Sequence, residues 1–263
     1  MVAFLFHTLA RRTVPLNPAR RGGTPCAMDY DSANLSAFYA SPLGEVAQRL
    51  IHNRLEAFWP DVRGTRLLGY GFALPFLPRF AAEAERVAAL IPAQLGTTGW
   101  PGGPAATVLG DEDALPFSDA MFDRVLVVHG LESAESLRPV LRQLWRVLAP
   151  AGKLLIVTPN RNSLWSQVER SPFAHGRPFS RSQLQALMRD TLFVPERWDI
   201  ALLAPPLRSR RLLGRGTSWE RVGRRVWPGL AGVHILEATK SLYAISPAIP
   251  VKQGARALAS ASG

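Results

Sequence analysis

Apolar residues recur at helical spacing from Leu43 through Val46, Ala47, Leu50, Ile51 and Leu55 to Phe58. Ser41-Pro42 stands in front of them as a helix cap followed by proline at the first helical position. This pattern predicts an amphipathic helix that ends at Trp59-Pro60, with His52 on its polar side. The period then changes. Thr65 to Leu68 predicts a short strand running into Gly69-Tyr70-Gly71, and a helix is expected from about Pro75 through Phe76, Phe80 and Ala84. Val87–Ile91, Thr107–Leu109 and Val125–Val128 predict three further strands, the last ending at His129, with Gly99–Gly103 as a loop. Leu137, Leu141, Leu144, Trp145 and Leu148 place a helix over Ser133–Leu148, stopped by Pro150-Ala151-Gly152, and Leu154–Thr158 is the next strand. Ser180 and Gln183 form a capping box, stapled by Phe179 and Leu184, for a helix from Arg181 to about Asp190. Trp198–Leu203 and Ser241–Ile245 read as two final strands.

Strands alternating with helices imply an α/β fold in which crossover helices cover a parallel sheet. Ligands of such sheets sit outside the carboxyl ends of the strands. Asp111, Glu112 and His129 all fall at such ends. With 263 residues and 47% apolar content, one domain with insertions is expected rather than two domains. The ordered domain is assigned to residues 28–250, with residues 159–196 and 205–239 as insertions, 1–27 as an N-terminal tail and 251–263 as a C-terminal tail. Met1–Ala10 has no basic residue before it and makes a poor secretory signal. Translation starting at Met28, or a disordered tail, is the preferred reading of this segment, with an organellar transit peptide as the other.

Charge adds one feature. The formal net charge is +11, carried almost wholly by arginine. Residues 205–227 hold seven arginines against Glu220 alone, a net of +6. Interleaved with Leu212, Leu213, Trp219, Val222, Val226 and Trp227, they suit an anionic membrane surface. A nucleic acid suits them less, since no RNA-binding signature accompanies them, and a cap over an acceptor pocket is the third reading. The single cysteine, Cys26, excludes disulfides within the chain, and five scattered histidines give no metal spacing, so no metal is expected. No uncharged apolar run approaches the ~18 residues of a membrane span. A cytoplasmic location, peripheral to a membrane through the basic segment, is the expectation.

The block Gly110-Asp111-Glu112, Leu115-Pro116-Phe117 and Phe122-Asp123, followed by Arg146-Val147-Leu148-x-Pro150-x-Gly152, resembles the class I S-adenosylmethionine-dependent methyltransferases of the type 11 branch. The resemblance covers about residues 60–160. It implies a three-layer αβα, doubly wound, Rossmann-like fold with a mostly parallel seven-stranded sheet and an antiparallel last strand. It also implies S-adenosylmethionine as cofactor and methyl transfer to a small-molecule or lipid-like acceptor. A methyltransferase fold that serves as a non-catalytic binding or membrane-associated module is the alternative, and an RNA methyltransferase is third.

By this resemblance Gly69, Tyr70 and Gly71 cradle the cofactor, Asp111 accepts from the adenine amino group with Glu112 beside it, and His129 meets the methionine part. The pattern is degenerate. Leu67 replaces the acid that precedes the first glycine, Ala73 takes the third glycine position, and the ribose acid is absent near Pro92, Ala93 and Gln94. Gln94 retains an acceptor oxygen and is assigned to the ribose. His129 and His175 are the catalytic candidates, and Asn160, Trp165, His175 and Arg177 the acceptor-side ones. Methyl transfer from a sulfonium needs positioning above all, so a missing catalytic dyad counts for little.

Overall fold

The computed structural model describes residues 31–96, 106–168, 171–206 and 216–241. Two helices open this part of the chain. In α1 (Ser32–Tyr39) the Asp31 carboxylate accepts from the Asn34 amide, and in α2 (Pro42–Phe58) Ser41 caps the Gly44 amide. Gly44 is needed for the close approach of the two helices: a Cβ there would lie 1.9 Å from the Phe38 carbonyl oxygen. That contact sets the position of Tyr39 at the end of α1.

Seven strands follow: β1 (Arg66–Gly71), β2 (Arg86–Pro92), β3 (Ala106–Gly110), β4 (Phe122–Val128), β5 (Leu148–Pro159), β6 (Phe193–Ala201) and β7 (Val233–Lys240). They lie in the order β3-β2-β1-β4-β5-β7-β6, all parallel except β7, which runs against both of its neighbours. The register aligns Gly71 with Val128 and Pro92 with Gly110, so these strand ends form one rim. Pro159 opposite Val233 extends the same rim toward β7. One apolar layer packs α1, α2 and α3 (Pro78–Ala81) on one sheet face through residues such as Leu50, Ile51, Leu55, Phe76 and Phe80. The other packs α4 (Leu137–Val147) and α5 (Arg181–Asp190) on the opposite face through Val140, Leu141, Leu144, Leu184 and Met188. The capping box of α5 is present as expected.

Several of the motif residues hold this frame together. Asp123 accepts from the Arg66 amide and guanidinium at 2.9–3.0 Å, which holds its carboxyl below the usual range. The Arg146 guanidinium donates to the Leu115 and Phe117 carbonyls and to Asp119, clamping the loop between β3 and β4. The recurrent Leu-Pro-Phe, Phe-Asp and Arg-Val-Leu elements therefore shape the loop beside the rim.

Three expectations need correction. The helix sought from Pro75 to Ala84 is a 3-10 turn, Leu74–Phe76, followed by the single turn of α3. Pro78 has no N–H to continue the ladder begun at Leu74, so the helix cannot propagate. The helix expected from Ser133 begins only at Leu137. The last two strands lie at Phe193–Ala201 and Val233–Lys240 rather than at Trp198–Leu203 and Ser241–Ile245, which leaves the excursions between strands at 160–192 and 202–232. Residues 242–245, the Gly99–Gly103 loop, both tails and residues 207–215 of the basic segment lie outside the described residues.

Candidate functional site

In a doubly wound sheet the ligand crevice opens where strand order reverses. Here that point lies between β1 and β4, at Gly71 and Val128. The glycine is required: Gly71 has φ +80°, and a Cβ would meet the Val128 carbonyl oxygen at 2.4 Å and the Gly130 Cα at 2.8 Å. The Phe72 amide then donates to the Val128 carbonyl at 2.7 Å, tying the two strand ends together. Gly69 faces inward, with Leu77 and Ala73 filling the space a side chain would need.

His129 follows β4 at this point, with 1% of its surface exposed. Its Nδ1 lies 2.9 Å from Glu132 Oε1 and its Nε2 lies 2.7 Å from the Tyr39 hydroxyl. These two contacts join Tyr39, His129 and Glu132 into one buried hydrogen-bonded chain. Tyr39 stacks on Phe72 with ring centres 6.0 Å apart, meets Phe76 edge to face and lies tilted against His129. Burial, aided by Glu132, pushes the Tyr39 hydroxyl well above its ordinary pKa. Phe173 covers His129 from the excursion after β5. The chain Glu132–His129–Tyr39 could pass a proton along its length, but it lies under aromatic cover.

The half of the rim formed by β2 and β3 differs. Asp111 and Gln94 are exposed, and Glu112 is half-buried. One Glu112 oxygen accepts from the Glu135 and Ser136 amides, and the other accepts from the Gln94 side chain. Tyr70 points to the α4 side, its ring against Gly130. Its hydroxyl is buried without a hydrogen-bond partner and is raised in pKa by burial and by Glu112.

The acceptor-side candidates divide into two kinds. Asn160 is buried, and its Nδ2 donates to the Gly229 and Ala231 carbonyls. Trp165 is buried, with Nε1 donating to the Ala204 carbonyl. These polar groups are committed to holding the two excursions together. His175 is half-buried and Arg177 exposed, in a turn whose Arg177 amide donates to the Glu132 carbonyl at 2.9 Å. The structure thus brings His129, Glu132 and the 175–177 turn together and leaves Asn160 and Trp165 in the wall. Sequence reasoning missed Tyr39, Phe72, Glu132 and Phe173. The His129-x-x-Glu132 spacing was the one signal available. Among the described residues no three His, Cys, Asp or Glu side chains gather into a metal-binding group.

The fold is that of the class I methyltransferases, and residues 74–156 match the methyltransferase domain family. The match begins three residues past Gly71, so the glycine turn lies outside it. A demethylmenaquinone methyltransferase of Deinococcus radiodurans is 27% identical over 48% of this chain and 52% of its own length. A malonyl-[acyl-carrier protein] O-methyltransferase of Erwinia pyrifoliae is 41% identical over 24% of this chain and 26% of its own. The chain thus spans about half the length of the first and a quarter of the second. Among solved structures, an S-adenosylmethionine-dependent methyltransferase of Thermotoga maritima superposes with TM-score 0.55 at 17% identity, over 80% of this chain and 96% of that one. The cyclase SpnF does so with the same TM-score and identity, over 85% and 100%. The fold alone therefore does not fix the reaction.

Residues of the rim fit only part of S-adenosylmethionine. Asp111 and Gln94 offer exposed acceptors that an adenosine could meet, with half-buried Glu112 beside them. At the β1–β4 crevice, where the resemblance would put the methionine part, Phe72, Tyr39 and His129 occupy the space at 5% exposure or less. The described arrangement does not fit the whole molecule.

Proposed function

We propose that the chain is an S-adenosylmethionine-dependent methyltransferase acting on a small-molecule or lipid-like acceptor, and that its β1–β4 crevice must open before the cofactor is held. The match of residues 74–156 to the methyltransferase domain carries this reading. The exposed acceptors at the ends of β2 and β3 support it, since an adenosine needs hydrogen-bond partners there. The names of the relatives, one acting on demethylmenaquinone and one on a malonyl group carried by protein, favour an acceptor outside the nucleic acids. On this reading His175 and Arg177 contact the acceptor, and Arg177 suits a carboxylate or phosphate.

Isothermal titration with S-adenosylmethionine and S-adenosylhomocysteine tests the proposal. Binding at micromolar to submillimolar ligand is expected. No heat up to millimolar ligand, with the protein folded, overturns it and leaves the second reading, a methyltransferase fold used as a binding module. The buried Tyr39–His129–Glu132 cluster is the observation that favours that second reading.

A further inference from the structure

The helix α6 (Gly216–Val226) turns one face inward and the other out. On the inward face, buried Glu220 accepts from the Leu203 amide, Gly223 lies against Leu203, and Arg224 pairs with Asp199 and donates to the Ile200 carbonyl. Those residues account for the docking of the helix on the rest of the protein. The outward face has no such role. Val222 is 50% exposed, Val226 64% and, in the 3-10 turn that follows, Leu230 44%. The four-residue spacing puts Val222 and Val226 in one row. Arg221 and Arg225 are exposed in the row beside it, and residues 221–230 contain no acid.

We infer that this face is a reversible docking surface for an anionic lipid bilayer. Exposed aliphatic residues in a row, flanked by arginines and free of acids, match an interfacial helix. The valines and Leu230 enter the acyl boundary while the guanidinium groups stay with lipid phosphates. A nucleic acid fits less well, because Val222, Val226 and Leu230 are aliphatic and offer a base no stacking surface, and the Trp227 indole is half-buried against Leu203. Three aliphatic side chains are too few for permanent anchoring, so binding is weak and salt-sensitive. The face also lies next to the rim: Asn160, directly after β5, donates to the carbonyls of Gly229 and Ala231. A bilayer held by α6 therefore meets the protein beside the excursions that wall the acceptor side. The inference stands apart from methyl transfer, because it needs neither cofactor nor acceptor.

Flotation of the full chain with vesicles tests it, using phosphatidylcholine alone and phosphatidylcholine mixed with phosphatidylglycerol. The wild type is expected to float with the anionic vesicles, to stay down with the neutral ones, and to lose binding as salt rises. Exchanging both arginines, Arg221→Glu with Arg225→Glu, should weaken partition by about thirtyfold or more. Val222→Asp with Val226→Asp should weaken it by about tenfold or more. Thermal unfolding checks that each variant folds, and the milder Val222→Ala with Val226→Ala keeps the test open if the aspartates do not. Absent flotation of the wild type, flotation indifferent to phosphatidylglycerol, or equal flotation of wild type and variants overturns the inference. So does retention on single-stranded RNA that the arginine exchange abolishes and the valine exchange leaves intact, if vesicles are not bound.

Discussion

The two halves of the rim are built on opposite terms. At β2 and β3 the groups that could meet a ligand are more open: Asp111 and Gln94 are exposed, and half-buried Glu112 is held by the Gln94 side chain and the Glu135 and Ser136 amides. At β1, β4 and β5 the equivalent groups are buried and already partnered: Tyr39 with His129, His129 with Glu132, Asn160 with two backbone carbonyls. Exposed polar groups can exchange water for a ligand at little cost to the fold. Buried partnered ones stabilise the fold and must be separated before a ligand can enter. One half is thus open to solvent and the other is committed to stability.

Mutations can break that contrast, and the largest effect is expected at Tyr39. Tyr39→Ala removes an aromatic ring from the closed half and should cost about 3–5 kcal/mol of stability in urea unfolding. It should also strengthen S-adenosylmethionine binding by titration, because the β1–β4 crevice is vacated. Tyr39→Phe, which deletes only the hydroxyl, should cost about 1–2 kcal/mol. If Tyr39→Ala binds the cofactor no better than wild type, the crevice is not where the methionine part goes.

Acid should weaken the adjoining β6–β7 edge next. His234, at the start of β7, is buried against Trp198 with neither ring nitrogen hydrogen-bonded, and burial, with Arg181 nearby, lowers its pKa to about 4. It is neutral when folded and takes up a proton more readily when unfolded. Its share of stability is therefore intact above pH ~6.5 and is lost as pH falls toward 4, to a total of about 3 kcal/mol. Unfolding midpoints measured from pH 7 to 4 should show this loss, and His234→Phe should flatten it.

A smaller effect is expected at Asn160. Asn160→Ala leaves the Gly229 and Ala231 carbonyls without their donor and should cost about 2 kcal/mol, read from the same urea curves. A change in acceptor KM with stability intact would instead make Asn160 a ligand contact. On the open half, Asp111→Ala should move stability by less than ~0.5 kcal/mol. It should weaken S-adenosylmethionine by about tenfold or more, the worth of one charged hydrogen bond. A stability loss there as large as at Tyr39 would erase the distinction between the halves.

The legibility of the sequence follows the same division. β1, β2, β3 and β4 and the capped α5 were readable because their patterns are local: short β-branched runs, a glycine turn, a Ser-x-x-Gln cap. β7 was not. Val233–Lys240 carries His234, Glu237 and Lys240, which read as polar residues ahead of a strand rather than within one. Their partners are distant in sequence. Glu237 accepts from the Trp59 indole, and Lys240 donates to the Leu148 carbonyl over the Trp145 ring. The position of Asp111 and Glu112 at the end of β3 was legible because carboxylates after a strand are a local sign. The closed half was hidden because Tyr39 reaches His129 across 90 residues of chain.

The reversed direction of β7 sets where the chain can be handled without disturbing the rim. Since β6 ends and β7 begins at the same edge, residues 202–232 depart from the ligand side and come back to it, and only then does the backbone cross to the far edge. A fluorophore on Gly229→Cys would sit beside Asn160, just past the end of β5 on this side, and report movements there. One on Ser241→Cys would lie roughly 25 Å away, at the opposite end of an eight-residue strand, as an undisturbed reference for distance measurements across the sheet.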